Sequence, residues 1–281
     1  MKTFAYAKIN AGLNVVRRRE DGYHELEMVM LPLTFCDDVE IHFSKADWYT
    51  WNLDFRINGK NTIVKAVNLM RETYGINKHF RIHVTKRIPT QAGLAGGSAD
   101  AAAVMLAIRD LCKLEVSDQE IAQLSKQVGA DVPFCVMSQA SVVKGIGEIL
   151  EPLKMNCDFD VLLLKPNKGV STKECFESIN FETCVHPDVM EVKRCLEEND
   201  FAGLSKCVSN TLEQPACELV PEIKNARQYL IDCGFEVVCM SGSGSTMFAL
   251  TRKPELIEKA LNDPNYKNWF RVKCKILEKV Q

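Results

Sequence analysis

The sequence predicts an α+β fold made of two domains. Strand-like runs dominate the first third of the chain, at residues 3–16, 25–33, 38–43 and 49–57. Helical and strand-like segments then alternate to residue 277, without an internal repeat. A chain of 281 residues with 46% hydrophobic content is long enough to divide into two cores. We place the boundary in the polar stretch 154–158, which gives domains of residues 1–155 and 156–281.

Local signals define the helices and turns of the first half. Asn58-Gly59 follows an alternating run and predicts a hairpin turn. A helix over residues 62–74, apolar on one face, is expected to end at Gly75 and to precede a strand at 80–86. The next helix, from about residue 99 to residue 112, is apolar on nearly every side of its first turns and must be buried. Ser117 and Glu120 form a capping box that starts a helix at about 118–128.

The second half alternates short strands and amphipathic helices. We expect strands at residues 140–144, 159–164, 235–240, 246–251 and 270–277. We expect helices near residues 172–179, 187–198, 202–213 and 221–232. Gly234 is a natural stop between the last of these helices and the strand that follows it.

Composition limits the classes of partner. Lys and Arg number 35 against 37 Asp and Glu, so the net charge of −2 predicts no nucleic-acid partner. The sequence shows neither a signal peptide nor a membrane span, and we expect a cytoplasmic protein without a membrane partner. The twelve cysteines include no CxxC pair and are expected to be reduced and mostly buried. The five histidines do not cluster, so no metal held by side chains alone is predicted.

The strongest motif is the glycine-rich segment PTQAGLAGGSADAAA at residues 89–103. Gly93, Gly96 and Gly97 precede the buried helix and expose its N-terminal amides, where the helix dipole favours an anion such as a polyphosphate. The ordinary alternative is a glycine-rich turn with Ser98 as the N-cap. The segment lacks the Gly-Lys-Ser/Thr ending of a P-loop and the strand and acidic residue of a Rossmann fingerprint.

A second glycine loop, VCMSGSGSTMFAL at residues 238–250, lies between two strand-like runs. Taken alone it is best interpreted as a flexible hairpin. The two loops could instead meet at one ligand and both contribute amides to it.

Two charged residues stand in otherwise apolar surroundings. Lys8 is a lone cation in a predicted strand, where the solvated face is the ordinary location. Asp131 lies in VGADVPF at residues 128–134, where an Asx-turn or an N-cap is the ordinary role. A lone carboxylate in an apolar loop also suits a general base, and spacing alone leaves the choice open.

Together these segments resemble the GHMP kinase superfamily, whose three signature regions are all present in order. Its central motif is matched by Pro89 through Ala99 and its C-terminal glycine motif by Ser241 to Ser245. The resemblance implies an N-terminal β-α ribosomal-protein-S5-like domain and a C-terminal ferredoxin-like α/β sandwich. It also implies an ATP-dependent kinase acting on a small alcohol with Mg²⁺. The related branch usually reads AGLGGGSSDAA, so Ala95 and Ala99 depart from it, and an alanine at 95 disfavours a positive φ.

The resemblance also implies site residues. Lys8 and Asp131 would be the catalytic pair, with Asn61 and Lys86 near the adenine. Ser98 is a candidate ligand of Mg²⁺. The phosphate loop would consist of Pro89, Thr90, Gln91, Ala92, Gly93, Leu94, Ala95, Gly96, Gly97, Ser98 and Ala99.

The segment REDGYHELEMVM at residues 19–30 selects a branch of the superfamily. Its DGYH resembles that of kinases acting on a cytidine diphosphate-linked methylerythritol in the non-mevalonate isoprenoid pathway. Asn10, Tyr23 and His24 would then lie at the substrate, and Phe176 would be a second aromatic against the cytosine. The alternatives are a kinase of homoserine or mevalonate, or a non-catalytic nucleotide-binding relative. A monomer and a homodimer both remain open.

Overall fold

The computed structural model describes residues 1–52 and 61–277. The predicted Asn58-Gly59 turn, and the part of the predicted strand 49–57 beyond residue 52, lie outside this range. The chain divides into two compact units made of interleaved segments. The first unit comprises residues 1–7, 35–89 and 95–138, and the second comprises residues 8–34, 90–94 and 139–281. The predicted sequential boundary near residue 155 is a different kind of division and stays a prediction.

Two long strands contribute residues to both units. They are β1 (Lys2–Arg18) and β2 (His24–Ser44), which pair with each other. The sequence predicted two strands where β2 is continuous. The strand runs through the polar residues around Asp37 without a break, and it pairs with a neighbouring strand, His79–Thr85, from Asp38 onward.

The first unit contains two short strands, the last residues of β2 and four helices. β3 (Trp48–Trp51) runs parallel to β4 (His79–Thr85), and β4 is antiparallel to the last residues of β2. The helices are α1 (Thr62–Tyr74), α2 (Gly96–Leu111), α3 (Asp118–Ser125) and α4 (Val132–Met137). Both predicted termini are confirmed, because Gly75 ends α1 with a φ of 63° and Ser117 starts α3 with a capping box. The sequence did not predict α4.

Helix α2 is the central helix of the first unit. It packs against α1, α3 and α4. Its residues Ala99 to Met105 are all buried, which confirms the prediction of an enclosed helix. Small alanine side chains let neighbouring helices approach closely, so its position is fixed by packing on several sides.

In the second unit, the first residues of β2 pair with β5 (Ser141–Gly145), which pairs with β6 (Ile149–Pro152). A separate antiparallel sheet has the order β10-β7-β9-β8. Its strands are β7 (Asp160–Lys165), β8 (Val237–Met240), β9 (Met247–Thr251) and β10 (Phe270–Lys275). Buried apolar residues line β7, β8 and β9.

Six helices and one 3-10 turn complete the described part of the second unit. They are α5 (Thr172–Glu177), α6 (Val189–Glu197), α7 (Phe201–Cys207), α8 (Glu213–Leu219), α9 (Glu222–Asp232), α10 (Pro254–Asn262) and the 3-10 turn Pro264–Tyr266. The sequence predicted a single helix at 202–213, and it did not predict α10 or β6. The predicted helix breaks because the Thr211 amide donates to the Leu13 carbonyl of β1, and the Asn210 side-chain amide donates to the carbonyls of Met240 and Gly242.

Candidate active site

Lys8 is buried in the middle of β1. Only 4% of the residue is exposed, which overturns the ordinary expectation of a solvated face. Its Nζ donates to Asn10 Oδ1 at 2.7 Å and to the Gly93 carbonyl at 2.8 Å. A buried ammonium group needs such acceptors to offset its lost hydration. The sequence from Ala7 to Leu13 is buried throughout, so the ammonium has a defined orientation.

Asn10 is a polar neighbour of Lys8. Its side chain is buried, and Nδ2 lies 3.2 Å from the Met28 sulfur. Its oxygen is directed to Lys8, so Asn10 orients the ammonium. The predicted contact of Asn10 with substrate stays a prediction.

The two glycine loops meet within the second unit. The Gly93 carbonyl accepts from Ser241 Oγ at 3.0 Å, and the Thr246 amide donates to the Ala92 carbonyl at 3.3 Å. Gly93 has a φ of 73°, and a Cβ there would lie 1.9 Å from the Ser241 carbonyl oxygen. Only glycine fits this approach. The loop 241–246 does connect the hairpin of β8 and β9, but it is entirely buried rather than flexible surface.

Helix α2 begins with two glycines, of which Gly97 is exposed. Its first residue is Gly96, three positions before the predicted start, so Ser98 lies inside the first turn and is not the N-cap. The N-cap is Ala95, which is left-handed with a φ of 58° although the sequence disfavoured a positive φ there. Alanine offers no capping oxygen, and the first N–H groups of a helix have no intrahelical acceptor. The helix start is therefore suited to an anion.

The start of α1 lies against the start of α2. Asn61 caps α1 by accepting from the Ile63 amide at 2.8 Å. Thr62 Oγ1 donates to the Gly97 carbonyl at 2.7 Å. These contacts fix the first turn of α2 from the side of α1. Whether Asn61 also contacts an adenine stays a prediction.

Lys86 lies in a buried cluster with two carboxylates. Its Nζ donates to Asp37 Oδ2 and, at 2.6 Å, to Asp100 Oδ2. Burial raises the pKa of Asp100 to about 7, although the nearby Lys86 ammonium opposes that rise. Asp37 and Lys86 are each nearly inaccessible to solvent. The predicted proximity of Lys86 to an adenine stays a prediction.

Asp131 stands at the N-cap position of α4, but its side chain makes no capping hydrogen bond. The expected role of a capping carboxylate is therefore not confirmed, and the other ordinary role, an Asx-turn, stays a prediction. Asp131 belongs to the first unit and Lys8 to the second. Their action as a catalytic pair stays a prediction.

Aromatic residues gather around His24 in the second unit. The His24 ring lies 4.9 Å from that of Phe176 and 6.3 Å from that of Phe181, measured between centroids. Burial, and to a lesser degree the charge of Arg18, lowers the pKa of His24, so its imidazole is neutral at pH 7. Tyr23 directly precedes His24 in the sequence, and 60% of the residue is exposed to solvent. The structure brings the predicted His24 and Phe176 together and adds Phe181, which the sequence analysis did not name. The contact of Tyr23, His24 and Phe176 with substrate stays a prediction.

Two further findings concern metals and membranes. Among residues 1–52 and 61–277, no group of three His, Cys, Asp or Glu side chains could hold a metal ion. No helix in the same residues has the length and apolar character needed to cross a bilayer. Each of the twelve cysteines lies in the described part and is a free thiol.

The fold and the glycine loops are those of the GHMP kinases. The chain matches the family model of the GHMP kinases N terminal domain over residues 61–139. It matches the model of the GHMP kinases C terminal domain over residues 184–267. The α+β fold predicted from the sequence is confirmed.

Individual relatives indicate which branch of the GHMP kinases this chain belongs to. The chain is 36% identical to the 4-diphosphocytidyl-2-C-methyl-D-erythritol kinase of Geobacillus thermodenitrificans over 262 residues, 92% of this chain and 90% of the relative. It is similar to a crystal structure of a 4-(cytidine 5'-diphospho)-2C-methyl-D-erythritol kinase, with a TM-score of 0.81, 31% identity and coverage of 98% and 99% of the two chains. The chain belongs to the family of 4-diphosphocytidyl-2-C-methyl-D-erythritol kinases.

A homoserine kinase from Cytophaga hutchinsonii shares the fold only. The similarity covers 98% of this chain and 96% of the homoserine kinase chain. The TM-score is 0.77, but the sequence identity is only 18%. The alternative of a homoserine kinase therefore gains no support beyond the common architecture.

Proposed function

We propose that this chain transfers the γ-phosphoryl group of ATP to the 2-hydroxyl of 4-diphosphocytidyl-2-C-methyl-D-erythritol. The product is the 2-phosphate, an intermediate of the non-mevalonate isoprenoid pathway. The observation that carries the proposal is the start of α2, where Gly96 and Gly97 follow a left-handed Ala95 that cannot cap the helix. The substrate is proposed from the similarity to named relatives.

Polyphosphate binding would rest on the amides of this helix start. Gly97 is exposed and has no side chain, so a phosphate oxygen can approach its N–H closely. The dipole of the 16-residue helix α2 adds a partial positive charge at the same end. No lysine of a P-loop type is needed for this mode of binding.

Phosphoryl transfer depends chiefly on positioning and charge stabilisation. Asp131 would accept the proton of the 2-hydroxyl group of the substrate, as the oxygen of that hydroxyl forms a bond to the γ-phosphorus of ATP. The bond from that phosphorus to the β,γ-bridging oxygen breaks, and ADP leaves. The Lys8 ammonium, held in place by Asn10 and Gly93, would stabilise the charge on the transferring group.

A magnesium ion suits the residues present. Described side chains supply no acidic cluster for it. Mg²⁺ commonly keeps water and nucleotide phosphate ligands, and Ser98 in the first turn of α2 is the protein group proposed to contribute. When bound, the ion would neutralise phosphate charge.

The cytidine half of the substrate would be recognised by the aromatic cluster. The His24 imidazole, neutral because burial lowers its pKa, can both donate to and accept from a base edge. Phe176 and the exposed Tyr23 offer ring faces for stacking on cytosine.

A cytoplasmic location agrees with the free state of the twelve thiols.

A substrate screen tests the proposal. ATP consumption should be measured with the cytidylylated methylerythritol, homoserine and mevalonate as separate acceptors, and the phosphorylated product located by phosphorus NMR. We expect turnover with the first acceptor only. Turnover with homoserine or mevalonate instead would replace the proposed substrate, and no turnover with any of them would favour a non-catalytic relative.

Competition by free CDP tests the cytosine contacts. We expect CDP to inhibit the wild type competitively against the alcohol substrate. Tyr23→Ala should raise the KM for that substrate roughly 5-fold to 150-fold, because base stacking contributes about 1–3 kcal/mol. ATP affinity should not change. A wild type that ignores cytidine nucleotides would contradict this part of the proposal.

A further inference from the structure

The cluster of Lys86, Asp37 and Asp100 has no part in the chemistry proposed above. Asp37 is fully buried and Asp100 is 4% exposed. These two carboxylates are too enclosed to be substrate ligands in their own right, so they can act only through the groups that they hold. Their partners are the Lys86 ammonium and the backbone beside it.

Asp37 ties down the chain that enters the glycine loop. Its Oδ1 accepts from the amides of Arg87 and, at 2.7 Å, Ile88, and its Oδ2 accepts from Lys86 Nζ. Both oxygens are therefore used. The segment 86–88 directly precedes the loop that begins at Pro89.

Asp100 ties down the helix that leaves the loop. It lies in the second turn of α2, and its Oδ2 accepts from Lys86 Nζ. Its other oxygen, Oδ1, is buried without a hydrogen-bond partner among the described residues. Asp100 thus uses one oxygen where Asp37 uses two.

Lys86 itself lies against the first residue of α2. A Cβ built on Gly96 would be 3.4 Å from Lys86 Nζ and 2.9 Å from a methyl carbon of Ile88. The Lys86 ammonium therefore lies in close contact with the first turn of α2, although Lys86 itself belongs to the segment 86–88 before the glycine loop. Both ends of the glycine loop are anchored by one cation.

We propose that Asp37 and Asp100 are positioning residues for the nucleotide-binding loop: through the Lys86 ammonium they fix residues 86–88 against the first turns of α2. This inference rests on the proposed function, because it assumes that the loop binds ATP. It assigns the two carboxylates an effect on ATP affinity and none on the chemical step.

The different use of oxygens by the two carboxylates gives a sharp test. Asp37→Asn replaces one of two required acceptors by an NH2 group that would face a donor, so the cluster breaks. Asp100→Asn keeps the one oxygen of this side chain that accepts from Lys86, whereas Asp100→Leu removes it at similar volume. We expect ATP Kd, measured by calorimetry without the alcohol, to rise roughly 10-fold to 100-fold in Asp37→Asn and roughly 5-fold or more in Asp100→Leu. Asp100→Asn should stay within about twofold of wild type.

Asp38→Asn is the matched control. Asp38 is the next residue, and its carboxylate pairs with the exposed side chains of Arg87 and Lys2 instead of the buried cluster. The same loss of charge there should leave the ATP Kd unchanged. Steady-state kinetics separate positioning from damage to the fold. A positioning defect raises the KM for ATP at nearly constant kcat, but partial unfolding lowers kcat with the KM unchanged.

The outcomes also separate this inference from the proposed function. ATP Kd values in Asp37→Asn and Asp100→Leu within twofold of wild type would overturn the positioning role, and so would an equal rise in Asp38→Asn. If Asp37→Asn does not fold, the contrast between Asp100→Leu and Asp100→Asn decides. A wild type that binds ATP but fails to phosphorylate the cytidylylated alcohol would contradict the proposed substrate and leave this test intact. A wild type that does not bind ATP would overturn both.

Discussion

At the scale of single residues, the candidate catalytic groups differ in how they are held. The Lys8 ammonium donates to the Asn10 side chain and to the Gly93 carbonyl, both of which belong to the second unit. Asp131 sits where a helix cap is expected, yet its carboxylate does not bond to the first amides of α4. Its candidate role as the general base comes from the resemblance to the GHMP kinases.

Asp131→Asn tests that assignment. The substitution keeps the shape of the side chain and removes its ability to accept a proton, so we expect kcat to fall about 100-fold to 10,000-fold. ATP affinity and the content of helix, measured by calorimetry and circular dichroism, should stay near those of wild type. Asp158→Asn, the same change at a carboxylate that is 96% exposed, serves as the control. Near-normal turnover in Asp131→Asn would return this residue to a structural role.

At the scale of elements, the glycines that open α2 differ in what they permit. A Cβ on Gly96 would collide with Ile88, whereas a Cβ on Gly97 would lie 3.5 Å from Thr62 Oγ1, an ordinary contact distance. A valine at Gly96 would therefore disturb packing and ligand approach together. An alanine at Gly97 changes only the surface presented to a ligand.

We expect Gly97→Ala to fold normally and to bind ATP roughly 10-fold more weakly, because its methyl group obstructs approach to the helix amides. Calorimetry gives the affinity, and thermal unfolding verifies the fold. Alanine is also the better helix former, so the melting temperature should not fall. Unchanged ATP affinity would show that phosphate does not approach this helix start.

The left-handed Ala95 gives a second prediction at this scale. A left-handed backbone costs an L-residue with a Cβ roughly 1–2 kcal/mol. Ala95→Gly relieves this cost, but glycine loses more chain entropy than alanine when the protein folds, which offsets part of the gain. The net stabilisation of the protein should therefore be up to about 1 kcal/mol. Gly75→Ala is the matched control, because Gly75 has a φ of 63° with open space around it, and should destabilise by a similar amount. Urea unfolding measures both, and a loss of stability in Ala95→Gly would contradict the argument.

Local signals were enough to predict most helices, because caps and apolar periodicity are short-range features. Ser117 with Glu120 and the terminal Gly75 are examples. The left-handed Ala95 was not expected, because a residue with a Cβ disfavours a positive φ. The break at Asn210 was not predictable, since contacts with β1 and with residues 240–242 decide it. The buried carboxylates Asp37 and Asp100 were missed for the same reason. Each looks like an ordinary polar residue until the fold brings Lys86 to it.

At the scale of the whole molecule, each of the two units consists of several separate segments of the chain. Strands β1 and β2 contribute residues to both units. A motif found by sequence can therefore be divided between units. The glycine-rich segment is an example, because residues 90–94 belong to the second unit and Ala95 onward to the first. Resemblance over the whole chain identified the family where single motifs could not, since the order of all three regions was informative.

The stability of the folded protein should depend on Asp100. The charged groups that act on it are Lys86 and Asp37. Helix α4, which packs on α2, has no charged residue. On the other two helices that pack on α2, Arg71 of α1 forms an ion pair with Asp47, and Asp118 of α3 forms one with Arg109. Burial raises the pKa of Asp100 from 3.8 to about 7. Between these two values the folded protein holds a proton that the unfolded chain has lost, so the contribution of Asp100 to stability falls as pH rises and is constant above about 7.

Asp100→Asn removes this contribution, because the amide cannot ionise and resembles the protonated acid in shape. We expect the free energy of unfolding of the variant, relative to wild type, to rise by roughly 2–3 kcal/mol between pH 5 and pH 8, since each pKa unit corresponds to about 1.4 kcal/mol. Urea unfolding of the unliganded proteins at pH 5, 6, 7 and 8 measures the difference, and nucleotide chemistry does not enter it. Asp38→Asn should show the opposite sign at lower pH, because its hydrogen bond from Arg87 lowers the pKa of Asp38. Parallel stability curves for wild type and Asp100→Asn would mean that Asp100 stays ionised, with the Lys86 ammonium outweighing the effect of burial.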